Sequence, residues 1–219
     1  MRINFRFDLN INKVVRYFIF ADLTFLSGWG LIDPIFAIFV VEKIPGATLT
    51  TIGVMAAIYW IVKSIIQVPI ALYLDKHDGE RDDFYALIIG LLIAALTLFS
   101  FMAAREVWHL YTIQLVKAVA FALYVPAWSA TLARHLDKQQ MAFELAIAST
   151  AAGGMIGLTG LLGSWLANFS YNFLFLFGGF LALASALILL WVPDLILPGG
   201  RGAVSKPFLR DHGPANIQK

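Results

Sequence analysis

Six long apolar stretches alternate with short polar connections along the chain: Tyr17 to Val41, Thr50 to Leu74, Phe84 to Ala103, Trp108 to Leu132, Met141 to Ala167 and Tyr171 to Val192. Each holds the ~20 residues an α-helix needs to cross the hydrocarbon of a bilayer. Hydrocarbon offers backbone groups no partner, and a helix pairs its own N–H and C=O groups within one segment. The pattern therefore predicts an all-α polytopic membrane protein with six transmembrane helices. It divides the chain into an N-terminal segment (1–16), a six-helix bundle (17–192) and a tail (193–219) that is disordered or a linker, being rich in proline and glycine after Pro193. The first stretch exceeds a signal-peptide core and no small-residue cleavage site follows it, so it reads as a retained signal anchor.

Composition agrees with that pattern. Sixty per cent of the residues are apolar and 14% are charged, against roughly 45–50% and 25% in soluble domains. Orientation follows from where lysine and arginine fall, because these residues are retained on the cytoplasmic side. With the N-terminus inside, the inner segments hold Arg2, Arg6, Lys13, Arg16, Lys76, Arg81, Arg134, Lys138, Arg201, Lys206, Arg210 and Lys219, against Lys43 and Arg105 outside. Both termini are thus expected in the cytoplasm and the protein in the cell's inner membrane, with lipid as its constant partner. A formal charge of +2 with dispersed cations gives no nucleic-acid footprint. The chain has no cysteine, which removes thiolate chemistry and cysteine metal sites; no cofactor or metal is expected.

Ionisable residues at membrane depth carry the candidate chemistry, since a charge in hydrocarbon costs at least ~2.5–3.5 kcal/mol and is retained for a purpose. Asp33 lies in the first span, Lys63 in the second and Lys117 in the fourth, with Gln67 and Gln114 on the faces of their lysines. At about 100° per residue, Gln114, Lys117, Phe121, Tyr124 and Trp128 share one face of the fourth span, and Asp22, Trp29, Asp33 and Phe36 one face of the first. Charge interleaved with large aromatics is what a water-filled binding cavity presents. The other possibility is that Asp33 and Lys117 form a buried structural ion pair. Spans three and six carry no ionisable residue at depth, which assigns them to lipid. In the fifth span, Gly153, Gly157 and Gly160 belong to a stripe of small residues that lets helices approach closely.

The order of these features resembles the six-helix half of the major facilitator superfamily of secondary transporters. In that family the loop after span two carries Gly-x-x-x-Asp-Arg/Lys-x-Gly-Arg-Arg/Lys. Here the stretch from Ala71 to Arg81 matches at Asp75, Lys76, Gly79 and Arg81, with one residue inserted, Ala71 for the leading glycine, and Glu80 reversing a charge. Lys117 and Pro126 stand where the family's fourth span has arginine and proline, and Gly28 and Asp33-Pro34 resemble its first span. Thr159 to Ser164 resembles the antiporter motif of span five without its proline.

The resemblance implies that spans one and four line a substrate cavity, two and five meet an opposite half, and three and six support from outside. It also implies a cytoplasmic charge latch, for which Asp75, Lys76, Arg81, Arg134 and Glu144 are available. Family members have two such bundles related by an axis along the membrane normal, so one bundle is expected to pair with a second copy as a homodimer and to work by alternating access. The cavity residues would be Asp33, Lys117, Lys63, Gln114, Tyr124 and Trp29. Asp33 is the candidate for proton coupling, and the excess of lysines points to a small anionic solute.

Two other classes compete. A six-helix scaffold that transports nothing would keep the bundle alone. The CDP-alcohol phosphatidyltransferases also have six spans, and Asp75-Lys76-His77-Asp78-Gly79 reproduces the opening of their motif. Their remaining metal-holding aspartates would fall near Ala94 and Leu98, leaving a two-metal site incomplete. Rhomboid-type proteolysis needs an intramembrane histidine, and His77, His109, His135 and His212 lie in connections, at span edges or in the tail.

Overall fold

The computed structural model describes residues 13–76, 80–136 and 141–191. Most of the expected N-terminal segment, the whole tail, Gly79 and the residues around Asp137 lie outside these. The described residues form seven helices and no strand: α1 (Lys13–Gly30), α2 (Phe36–Lys43), α3 (Leu49–Lys76), α4 (Glu80–Phe101), α5 (Val107–His135), α6 (Met141–Ala167) and α7 (Tyr171–Trp191). Five of them, α3 to α7, are long and apolar enough to cross a membrane as single helices.

The sixth expected crossing is present in two pieces. Its helix stops at Gly30 and resumes at Phe36, because Pro34 has no N–H to donate and disfavours helical geometry in the residue before it. The turn stays internally bonded, as hydrocarbon demands: the Trp29 carbonyl accepts from the amides of Ile32 (2.9 Å) and Asp33 (3.0 Å), and Ile32 accepts from Ile35 (3.1 Å). The physical consequence is that Asp33 stands in a bend between two helices rather than on the flank of one.

Other boundaries follow local chemistry. Gly46, at φ +77°, supplies the left-handed turn after α2, and Thr48 and Thr51 cap the start of α3 reciprocally, the Thr48 amide donating to the Thr51 hydroxyl at 3.0 Å and the Thr51 amide to the Thr48 hydroxyl at 3.4 Å. Within the helices, hydroxyls of Thr24, Ser27, Thr131 and Ser164 donate to carbonyls four residues back, which hides them from lipid.

The packing has an approximate two-fold pattern. Helix α4 and the flanking α3 lie against α5, as α7 and the flanking α6 lie against α1, while α4 and α7 meet each other. The α1–α7 crossing is close because it is made of glycines: a Cβ on Gly28 would come to 2.5 Å from the Gly178 carbonyl oxygen, and one on Gly178 to 2.8 Å from that of Gly28. Phe25, Phe84, Phe101 and Phe175 are among the largest fully buried side chains.

Burial corrects one expectation. Spans three and six were assigned to lipid because they lack charge, yet 56% of the apolar window of α4 and 44% of that of α7 is buried, against 11% for α3 and for α6. An apolar side chain is equally content against lipid or against another helix, so charge content did not report how much of each helix packs against its neighbours. The helices left open are α3 and α6, the second and fifth spans.

Candidate functional site

Helices α1 and α5 face each other along the whole aromatic stripe, and that face divides into two parts. Toward the start of α1 and the end of α5 it is shut. Phe18 stacks on Trp128 at 6.1 Å between ring centroids, Phe25 lies 4.8 Å from Tyr124, and the Tyr124 hydroxyl donates to the Asp22 carboxylate. Tyr124 is therefore a closing residue beside the cavity rather than a lining one. Asp22 is an acid at membrane depth whose partner sits 102 positions away, a distance in sequence that no local pattern could bridge.

Beyond Phe25 the two helices part, and α3 closes the third side of a cavity of about 350 Å³. Trp29 and Asp33 face it from α1 and the bend, Gln114, Lys117 and Phe121 from α5, and Tyr59 and Trp60 from α3. The contributions of Tyr59 and Trp60 were not legible in the sequence, since the polar face read on α3, that of Lys63 and Gln67, did not single them out.

The Lys117 ammonium occupies an aromatic box. It stands 3.9 Å from the centroid of Trp29, 5.0 Å from Tyr59 and 5.7 Å from Phe121. Ring faces are negative, so they attract a cation, by about 2 kcal/mol where water is excluded. Asp33 attracts Lys117 across the cavity, yet the two make no contact ion pair. The alternative of a closed structural pair is therefore not the arrangement found. Two polar groups in the wall stand unused among the described residues. The indole N–H of Trp29 is buried without a hydrogen-bond partner, and Gln114 is 5% exposed with no hydrogen bond to protein.

Lys63 does not line this cavity. It lies one turn along α3, its ammonium 4.9 Å from the Trp60 ring and 5.7 Å from Tyr59. The residues of the expected charge latch are likewise divided. Arg134 pairs with Asp83, whose side chain is fully buried at the start of α4, while Asp75, Lys76 and Arg81 are exposed and Glu144 is buried at the start of α6. The small-residue stripe of α6 also splits. Gly160 packs against Pro34 and the Gly30 carbonyl, at 3.1 and 3.4 Å from a built Cβ, whereas Gly153 and Gly157 meet nothing within 4 Å.

A bundle of apolar helices long enough to cross a bilayer, around a charged, aromatic-lined cavity, defines an integral membrane protein. The sequence profile of the Major Facilitator Superfamily matches residues 18–209, and the chain belongs to that family of membrane transporters. Comparison with curated proteins gives no match.

Proposed function

We propose that the chain is a subunit of a secondary transporter that pairs with a second copy of itself and moves a small solute by alternating access. The observation that carries this is the cavity in which Asp33 and Lys117 face each other without touching. Opposite charges held apart at membrane depth need an occupant, water or solute, between them.

Pairing is supported by what the single bundle leaves open. Helices α3 and α6 have 11% of their apolar windows buried, and Gly153 and Gly157 present backbone that nothing in the bundle approaches. With both termini in the cytoplasm, as the lysine and arginine distribution favours, a two-fold along the membrane normal places these faces together. Asp75, Lys76 and Arg81 then lie on the cytoplasmic side as the latch between bundles, with Arg134 held in place by Asp83. Asp33 is assigned the coupling proton, because a carboxylate alternately wetted and desolvated exchanges its proton between states.

Solute flux into proteoliposomes under an imposed pH gradient tests the reading. Wild-type protein is expected to accumulate solute with a pH dependence that Asp33→Asn abolishes while the variant still folds. Absence of flux for any solute class would leave the bundle as a scaffold, and an unchanged pH profile in Asp33→Asn would move the proton elsewhere. The chain has no cysteine, so Gly157→Cys gives a clean crosslinking probe. A disulfide-linked dimer in native membranes supports pairing, and a monomer at every concentration excludes it.

A further inference from the structure

We infer that the solute is a zwitterion carrying an ammonium group, a carboxylate and an apolar body, the chemistry of an apolar amino acid. This deepens the carrier reading and rests on it. The cavity is divided chemically: Asp33 offers an acceptor on the bend, whereas the Gln114 amide and the Lys117 ammonium are donors in the wall from α5. The Gln114 amide makes no hydrogen bond to protein among the described residues, and a carboxylate supplies the acceptor it lacks. Among the described residues Asp33 stands without a contact cation, and it takes an ammonium. The rings of Tyr59, Trp60 and Phe121 form the apolar wall.

Charge balance separates this class from its neighbours. The lining contributes one carboxylate and one ammonium, because Lys63 stands outside it. The lysine excess that pointed to an anion in the sequence is therefore not an excess in the cavity. A simple anion would set its charge against Asp33 and a simple cation against Lys117, each leaving a desolvated like-charge contact. A zwitterion pairs both and enters with no net charge. A volume of about 350 Å³ is at the small end of ligand cavities, which suits a solute of amino-acid size.

The test is equilibrium binding to the full chain in lipid nanodiscs, which requires no transport. The probes are L-alanine, L-leucine and L-phenylalanine, with hydrocinnamate and phenethylamine as molecules that keep only the carboxylate or only the ammonium. At least one amino acid is expected to bind tenfold or more tighter than either half-molecule. Asp33→Asn should erase that preference over hydrocinnamate, and Lys117→Gln the preference over phenethylamine. Gln114→Leu, which keeps the bulk and removes the amide, should weaken amino-acid binding several-fold, and it serves where a charge variant fails to fold. Failure of all three amino acids to bind, or equal binding of a half-molecule, overturns the inference. Binding without flux in proteoliposomes would instead refute the carrier reading and leave this one standing. Flux of some other solute with no amino-acid binding would do the reverse.

Discussion

The ammonium of Lys117, on α5, stands 3.9 Å from the centroid of the Trp29 ring, on α1. At the level of the cavity this cation–ring contact joins the two helices together with the edge-on packing of Trp29 against Phe121, 5.4 Å between centroids. It lets a lysine remain at membrane depth without a contact ion pair to Asp33.

That link predicts an energetic coupling. In a double-mutant cycle of Trp29→Leu and Lys117→Met, followed by unfolding in mixed micelles, the coupling is expected at about 1–2 kcal/mol, the range for desolvated cation–ring pairs. A coupling near zero would mean that the two side chains are merely neighbours.

The Tyr124 hydroxyl closes the other part of the interface on Asp22. Tyr124→Phe keeps the ring against Phe25 and strips the carboxylate of its donor, at an expected cost of about 1–3 kcal/mol. Asp22→Asn retains an acceptor for the hydroxyl and should cost less. Thermal unfolding of the two variants in the same detergent checks the order, and the reverse order would show that the carboxylate charge rather than the hydrogen bond sets the effect.

Asp83 is fully buried and pairs with Arg134 from α5. Arg134→Ala leaves that carboxylate uncompensated and is expected to destabilise the bundle by about 3–5 kcal/mol. Adding Asp83→Asn should recover a large part of the loss. A double variant no more stable than Arg134→Ala would show that Arg134 acts through other contacts.

Glycines on different helices should behave in opposite ways. Gly28→Leu drives a side chain into the Gly178 carbonyl and is expected to cost at least about 1–3 kcal/mol or prevent folding. Gly157→Leu meets open space, so the bundle should fold with its stability within about 0.5 kcal/mol of wild type. Under the proposed pairing it should nevertheless reduce dimer recovery in gentle detergent. Loss of the fold in Gly157→Leu, with Gly28→Leu unaffected, would invert the packing described above.

The sequence by itself determined that this is an all-α membrane bundle, because twenty-residue apolar runs have no other stable form in hydrocarbon. The ends of five crossings were legible within a few residues, and α6 starts and stops at the expected Met141 and Ala167. Asp33, Trp29, Gln114 and Lys117 could be singled out because polar residues at membrane depth are rare, and α1 and α5 carry them at helical spacing.

Only the tertiary structure decided the rest. It placed Asp33 on a bend, spent Tyr124 on Asp22 rather than on the cavity, set Lys63 outside the lining and brought in Tyr59 and Trp60. It also buried about half of α4 and α7 against other helices and left α3 and α6 open. The physical reason is common to all of these. Hydrocarbon and protein interior are equally apolar, so hydropathy finds the spans but cannot tell which side of each meets lipid, and contacts between helices far apart in sequence leave no periodic trace in either one.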